Sequence, residues 1–349
     1  MPYGQINADV IQTSTTGGIL GAGNASIMKN RLINGAMVID QRNAGATVTP
    51  TSGQYLVDRF YAGLTQASKF TAQQNAGSVT PPVGFTNYLG LTSSSAYSIT
   101  STDYFAIGQA IEGFNTADLG WGTADAKTVT LSFQVRSSLT GTFGGSLYNS
   151  AFNYSYPFSY SIPVANTWTT ISVTIAGPTS GTWIGATNGA GLRIVFSLGA
   201  GSTYSGTAGS WSANGYLSAT GATSVVGTNG ATFYITGVQL EVGTSATGFE
   251  YVNYQTSLAN CQRYYEPCTF SCIWSGYATS STNAFANNFY KVSKRATPTV
   301  TTTAGAVNNF PATAVLVNTN TIDGFDVYKN ASGSGNGYYQ WTWTSSAEL

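Results

Sequence analysis

The sequence predicts a mostly β chain organised around an antiparallel β-sandwich, and three observations carry that expectation. Apolar and polar residues alternate in successive short runs from about Gly53 onward, the pattern of half-buried strands. The runs are separated by segments rich in Gly, Ser, Thr and Asn, such as residues 140–146, 177–191 and 199–232, which carry turn chemistry and little periodicity. Helical spacing is confined to one short stretch near residue 260.

Residues 1–45 are Gly-rich, with short apolar pairs and no sustained period, and are expected to form an extended arm. The clearest strand is Lys127 to Arg136, and upstream of it Phe105, Ile107 and Ile111 keep a period of two in Tyr104 to Glu112. Val129, Leu131, Phe133 and Val135 then share a face, as do Tyr154, Tyr156, Phe158, Tyr160 and Ile162. Ile171, Val173 and Ile175 follow, and then Leu192, Ile194, Phe196 and Leu198. Phe233 and Ile235 change phase to Val238, Leu240 and Val242 across Thr236-Gly237, which reads as a β-bulge. Strands at this spacing suggest a jelly-roll sandwich over residues 46–250.

A short helix is expected over 257–265, with Ser257 as N-cap and Leu258, Cys261 and Tyr265 on one stripe, so that residues 251–262 form a linker. Residues 263–349 return to β alternation at Val315 and Val317, at Ile322, Phe325 and Val327, and at Tyr339, Trp341 and Trp343. So short a unit, rich in Thr and Asn, makes a thin core and is expected to bury surface against neighbouring subunits.

Composition narrows the function. The 349 residues carry 13 basic and 13 acidic side chains and no His, so there is no net field to draw the chain onto nucleic acid or an anionic membrane. No apolar run is long enough to span a bilayer, and no export or anchoring signal is visible, so membrane insertion is not expected. Between Arg136 and Glu241 the only charged residue is Arg193, which leaves that span without a carboxylate for acid or base chemistry. The expectation is a non-enzymatic protein. Cys261, Cys268 and Cys272 lie too close together to staple the whole chain, and without a fourth ligand they make a poor zinc set. They are expected to be reduced and inert.

Several blocks carry a resemblance. Asn30-Arg31, Ile33-Asn34-Gly35, Met37 and Ile39-Asp40-Gln41-Arg42 resemble the opening of bacteriophage tail-fibre and virion-appendage proteins, which often read NRxINGxMxIDQR. Tyr104 to Ile107, Gln109 to Gly113, Trp121-Gly122-Thr123 and Ala126 to Phe133 resemble the start of a carbohydrate-binding-like jelly roll in the same proteins. Thr236 to Glu241, Ala246 to Glu250 and Cys261 to Glu266 form the most specific block, and the ending Ala347-Glu348-Leu349 is similar too. The resemblance implies a virion structural protein, usually a homotrimer, assembled in the host cytoplasm and carried on the tail or capsid exterior. Its implied partners are other copies of itself, other virion proteins through the arm, and host surface polysaccharide. A short tail fibre or receptor-binding appendage is the first reading. The alternative is a capsid decoration or cement protein, or a head or neck fibre. Either way, residues 1–45 would dock, with Asn30, Arg31, Asn34, Met37, Asp40 and Arg42 as candidates, and residues 263–349 would trimerise or face the host.

Glycan recognition needs exposed aromatic faces near amides or hydroxyls on a rigid scaffold. Trp211, Tyr216 and Asn214 sit in a segment without alternation and are the leading candidates, followed by Trp183 and Trp121. The competing reading is that these rings cover an open edge or a subunit boundary, whereas Trp168, Trp341 and Trp343 read as core. Glu112, Asp118 and Asp125 cluster ahead of the first strong strand. Glu112 and Asp118 would be the acids of a depolymerase, the last-ranked reading, and Asp118 and Asp125 are weak calcium candidates. No cofactor is otherwise expected, and Asp in such segments ordinarily serves turns.

Overall fold

The computed structural model describes residues 11–12, 19–20, 28–279 and 283–349, so most of the expected arm before residue 28 lies outside the described residues. Two short strands, β1 (Ile11–Gln12) and β2 (Ile19–Leu20), pair antiparallel there.

The chain then enters the sandwich as β3 (Tyr55–Val57), β4 (Phe60–Leu64), β5 (Phe70–Gln74), β6 (Leu89–Ser93) and β7 (Tyr104–Glu112). It continues as β8 (Val129–Ser137), β9 (Gly141–Tyr148), β10 (Ser155–Ile162), β11 (Thr169–Ile175) and β12 (Ala190–Ala200). A small parallel pair, β13 (Ser205–Gly206) and β14 (Ser218–Ala219), interrupts the return, and β15 (Thr232–Val242) completes the sandwich. One sheet has the order β10-β9-β12-β7-β4-β3 and the other β11-β8-β15-β6-β5. The chain changes sheet between β4 and β5, β6 and β7, β7 and β8, β8 and β9, β10 and β11, β11 and β12, and finally between β12 and β15. This is a jelly-roll sandwich.

The alternation explains the core directly. Val129, Leu131, Phe133 and Val135 on β8 and Leu192, Ile194, Phe196 and Leu198 on β12 are each no more than 1% exposed. They meet between the two sheets, with the Phe133 and Phe196 rings 4.9 Å apart edge to face. Burying each such side chain stabilises the fold by about 1.5–3 kcal/mol. The expected bulge is present: the register of β15 against β8 shifts between Thr236 and Gln239. Gly237 sits there at φ 62°, and a side chain at that position would run into the Phe85 ring, so glycine is required on both counts.

Residues 28–47 are not a free arm, and the docking residues are turned inward. Asn30 donates to the Val238 carbonyl at 2.9 Å and accepts from the amides of Leu32 and Leu240. Arg31 forks onto both carboxylate oxygens of Asp118 at 2.6 and 2.8 Å. Asn34 ties the Ile39 backbone to the Asp58 carbonyl, Met37 is fully buried, and Asp40 accepts from Asn43 and Gly45 amides. Arg42 lies against the Tyr265 ring and pairs with Glu348 at 2.8 Å. Partners more than 200 residues away supply several of these bonds, so no local period announces them.

The helix α1 (Tyr254–Gln262) starts earlier than expected because Asn253, not Ser257, caps it: its side chain accepts from the Thr256 amide at 2.9 Å. Cys261 and Gln262 are its buried positions, Tyr264 just beyond it is buried too, and Tyr265 belongs to the next strand. The C-terminal unit contains β16 (Tyr265–Pro267), β17 (Cys272–Ala278), β18 (Asn283–Phe289), β19 (Thr299–Asn308), β20 (Leu316–Asn320), β21 (Gly324–Asn330) and β22 (Gly335–Ser346). β22 pairs with β16, β17 and β19, while β18-β21-β20 form a second sheet. Tyr339, Trp341, Trp343, Phe325 and Val327 fill the core between them. Ile322, expected on a strand face, is exposed and precedes β21. Phe270, Ile273, Tyr277, Phe285, Phe289 and Leu316 are exposed as well.

The scarce charges gather where sandwich, helix and C-terminal unit meet. Glu112 is buried against the Arg263 fork and the Tyr264 hydroxyl, and Lys294 pairs with Glu266 at 2.6 Å in full burial. Arg59 lies over the Tyr264 ring, donates to the Ala110 carbonyl and pairs with Glu348. Beside them Asp58 is buried, and that burial pushes its carboxyl up to about 6 despite hydrogen bonds from Gln41. The native state therefore holds this proton more tightly than the unfolded chain, and ionising Asp58 costs stability as pH rises from about 4 to about 6. Asp58→Asn removes the titration. Urea unfolding of both proteins should show the stability difference moving in favour of Asn by about 2–3 kcal/mol between pH 4 and 7.5. A difference that stays flat with pH contradicts this.

Candidate functional site

The structure brings Trp121, Trp183 and Trp211 together, with Trp121 buried and Trp183 and Trp211 partly exposed. Their ring centroids lie 4.9, 5.4 and 5.5 Å apart, all edge to face. Tyr154 stacks on Trp211 at 5.7 Å and the Tyr156 ring lies tilted against it at 5.2 Å. Each indole N–H is already used, by the carbonyls of Lys127, Ser180 and Ala176. Trp121 is buried and the other two pack against the main core. Tyr216 stands apart, its ring against the Gly206 backbone, and Asn214 is exposed with its amide on the Ser212 hydroxyl.

The acidic candidates are likewise engaged. Partial burial works against the Asp118 charge, but Arg31 outweighs it and holds the carboxyl below its usual range. Asp118 is therefore neutralised by its own chain rather than open to calcium, and Asp125 stands exposed in a turn. No group of three or more His, Cys, Asp or Glu side chains that could hold a metal is found among the described residues. Cys261 is buried, and the Cys268 and Cys272 sulfurs lie 3.5 Å apart as free thiols.

A different constellation forms on the outer face of the six-stranded sheet. Strand pairing sets Tyr61 opposite Gly108, Gly63 opposite Ala106, Gly108 opposite Val195, and Arg193 opposite Ala110 and Tyr148. Small residues on β4 and β7 thus make a depressed floor. At Gly108 a Cβ would collide with the Ile194 carbonyl and the Val195 side chain, so no larger residue fits there. The cleft above this floor has a volume of about 450 Å³ and is lined by Tyr61, Tyr104, Tyr148, Phe152, Tyr204 and Leu217, with Arg193 among them.

The rings form a continuous arc. Tyr104 meets Tyr204 edge to face at 4.9 Å, Tyr204 stacks with Phe152 at 6.2 Å, and Phe152 meets Tyr148 at 4.9 Å. The Tyr148 hydroxyl lies 3.3 Å from that of Tyr61, whose ring meets Tyr55 at 6.0 Å. Tyr104, Tyr204, Phe152, Tyr61 and Tyr55 are partly exposed, so their faces and edges reach solvent. Burial and the neighbouring Tyr61 push the Tyr148 phenol well above its ordinary value, and burial raises Tyr104. Both stay protonated donors at neutral pH. Burial opposes the Arg193 charge, but the oxygens of Tyr61 and Tyr148 outweigh it and raise the guanidinium above its ordinary value.

Chemically, the arrangement offers flat apolar faces, phenol donors and one cation over a shallow floor, with no carboxylate in the lining. Sequence reasoning missed these residues because they come from distant strands and from the 199–232 segment, which has no alternation. One signal was present: Arg193 is the lone charge in the middle of the chain.

The chain is similar in structure to the enzymatically active domain of tailspike protein 4 of bacteriophage CBA120, at 14% identity and a TM-score of 0.35. That match covers 62% of this chain and only 22% of the tailspike chain. It is similar to a putative sugar-binding protein from Bacteroides thetaiotaomicron at 12% identity and a TM-score of 0.33, covering 61% of this chain and 100% of that one. A CBM4 structure is similar at 15% identity and a TM-score of 0.30, covering 60% and 98%. The sequence matches no protein-family model and no curated protein.

Proposed function

We propose that this chain is a non-enzymatic glycan-binding protein and that the cleft on the six-stranded sheet is its binding site. The observation that carries the reading is the unbroken arc from Tyr104 through Tyr204, Phe152 and Tyr148 to Tyr61 around a floor of small residues. Sugar rings present C–H faces that pack on such aromatics, while their hydroxyls exchange hydrogen bonds with phenols and a guanidinium. The lining holds no carboxylate, and Glu112 and Asp118 are each engaged by an arginine, which supports binding over cleavage.

The setting we propose is a bacteriophage appendage, supported by the resemblance of the blocks in residues 236–266 to tail-fibre proteins. In a homotrimer three modest sites would act together, and their avidity would replace single-site affinity. The exposed Phe270, Tyr277, Phe285 and Phe289 of the C-terminal unit support subunit contact there. The purified protein should bind saturably to host cells and lose that binding when surface polysaccharide is stripped from them. Equal retention on stripped and intact cells, or none on either, contradicts the proposal.

A further inference from the structure

We infer that the cleft selects an anionic glycan, with the Arg193 guanidinium as the receptor for its carboxylate. The inference rests on the proposed reading of the cleft and adds the chemical class of ligand. Arg31, Arg42, Arg59 and Arg263 each meet a carboxylate, and Arg136 and Arg295, which do not, donate instead to backbone carbonyls, of Asn166 and of Asn188, Ala347 and Glu348. Arg193 forms no ion pair among the described residues, although it is only partly exposed and sits on a central strand. No Asp or Glu lines the cleft with it. Its cross-strand neighbours are Ala110, which is too small to cover it, and Tyr148, and its side chain hydrogen-bonds Tyr61; both phenols are neutral, so they can accept from the guanidinium but cannot balance its charge.

Among the described residues the partners of this guanidinium are neutral phenols, which solvate the charge without balancing it, and a bound anion supplies the counter-charge they lack. Its planar fork matches a carboxylate with two parallel hydrogen bonds, an arrangement that a single neutral hydroxyl does not reproduce. With Tyr61 and Tyr148 beside it, a uronate could set its acid group at Arg193 and its ring on the aromatic arc. No Asp or Glu is among the described residues that line the cleft to repel it.

The test uses immobilised polygalacturonate, alginate and hyaluronate, each beside its carboxyl-reduced derivative, with a sulfated neutral glycan as a further arm. The native protein should bind at least one acidic form about tenfold or more tightly than its reduced partner, since hydrogen bonds to charged groups exceed neutral ones by that order. Arg193→Gln should bring the two forms level, Arg193→Lys should restore part of the preference, and Tyr204→Ala should weaken both forms together. Thermal unfolding of each variant checks that the fold is intact. Tighter binding of the sulfated glycan than of any uronate would overturn the assignment of a carboxylate. Equal binding of acidic and reduced forms, or a preference that survives in Arg193→Gln, would overturn the inference while leaving the cleft as the glycan site. Binding to no glycan in any arm would overturn both.

Discussion

Arg59→Met is expected to lower unfolding stability by about 3–5 kcal/mol, the cost of removing one partner from a buried charge pair. Arg59 is fully buried, donates to the Ala110 carbonyl at 2.6 Å, pairs with Glu348 and lies 3.5 Å over the Tyr264 ring. The substitution keeps most of the volume but leaves the Ala110 carbonyl bare and Glu348 held only by Arg42 on its side-chain side. Backbone geometry argues for the same importance. Asp58 and Arg59 form the turn between Val57 and Phe60, and Arg59 sits there at φ 72°, a conformation that favours glycine. The arginine occupies this glycine-favouring conformation while its side chain makes the Ala110, Glu348 and Tyr264 contacts. Arg59→Gly relieves the strain and should still lose stability, by less than Met. Urea unfolding of Arg59→Met, Glu348→Gln and the double variant should show strong non-additivity, with the double variant much less damaged than the sum. Additive losses would mean that the pair does not hold the C-terminal strand to the sandwich.

The second large effect concerns binding. Tyr104→Ala with Tyr204→Ala is expected to weaken glycan binding by about 10–100-fold while costing little stability, because both rings are partly exposed and lie at the cleft rather than in the core. Trp211→Ala should do the reverse. It removes the ring that touches Trp121, Trp183, Tyr154 and Tyr156, at a cost of about 3–5 kcal/mol, and leaves affinity nearly unchanged. Calorimetric titration against a glycan that binds, paired with thermal unfolding, separates the two. Loss of binding in Trp211→Ala at intact stability would move the site to the tryptophan group.

The contrast shows what residue patterns reveal and where they stop. Val129 to Val135 and Leu192 to Leu198 were legible as strands because burial of one sheet face imposes a period of two on the sequence itself. The bulge at Gly237 was legible for the same reason, as a break in that period. The role of Asn30 and Arg31 was not, since their partners Val238, Leu240 and Asp118 are chosen by the fold and not by spacing. Alternation says nothing about how far a tryptophan in a Gly-rich loop is covered: Trp121 is buried, Trp183 and Trp211 are partly exposed, and backbone carbonyls satisfy all three indoles. The cleft lay hidden because its residues are the outward half of strands read for their inward half: Tyr104 neighbours Phe105, and Arg193 stands between Leu192 and Ile194.

The most direct measurement is the crystal structure of the protein with an acidic oligosaccharide at saturating concentration. Sugar rings should lie along Tyr104, Tyr204 and Phe152 with a carboxylate at Arg193. Sugar seated on the Trp121, Trp183 and Trp211 group, or an empty cleft beside a ligand bound elsewhere, would contradict the proposed site.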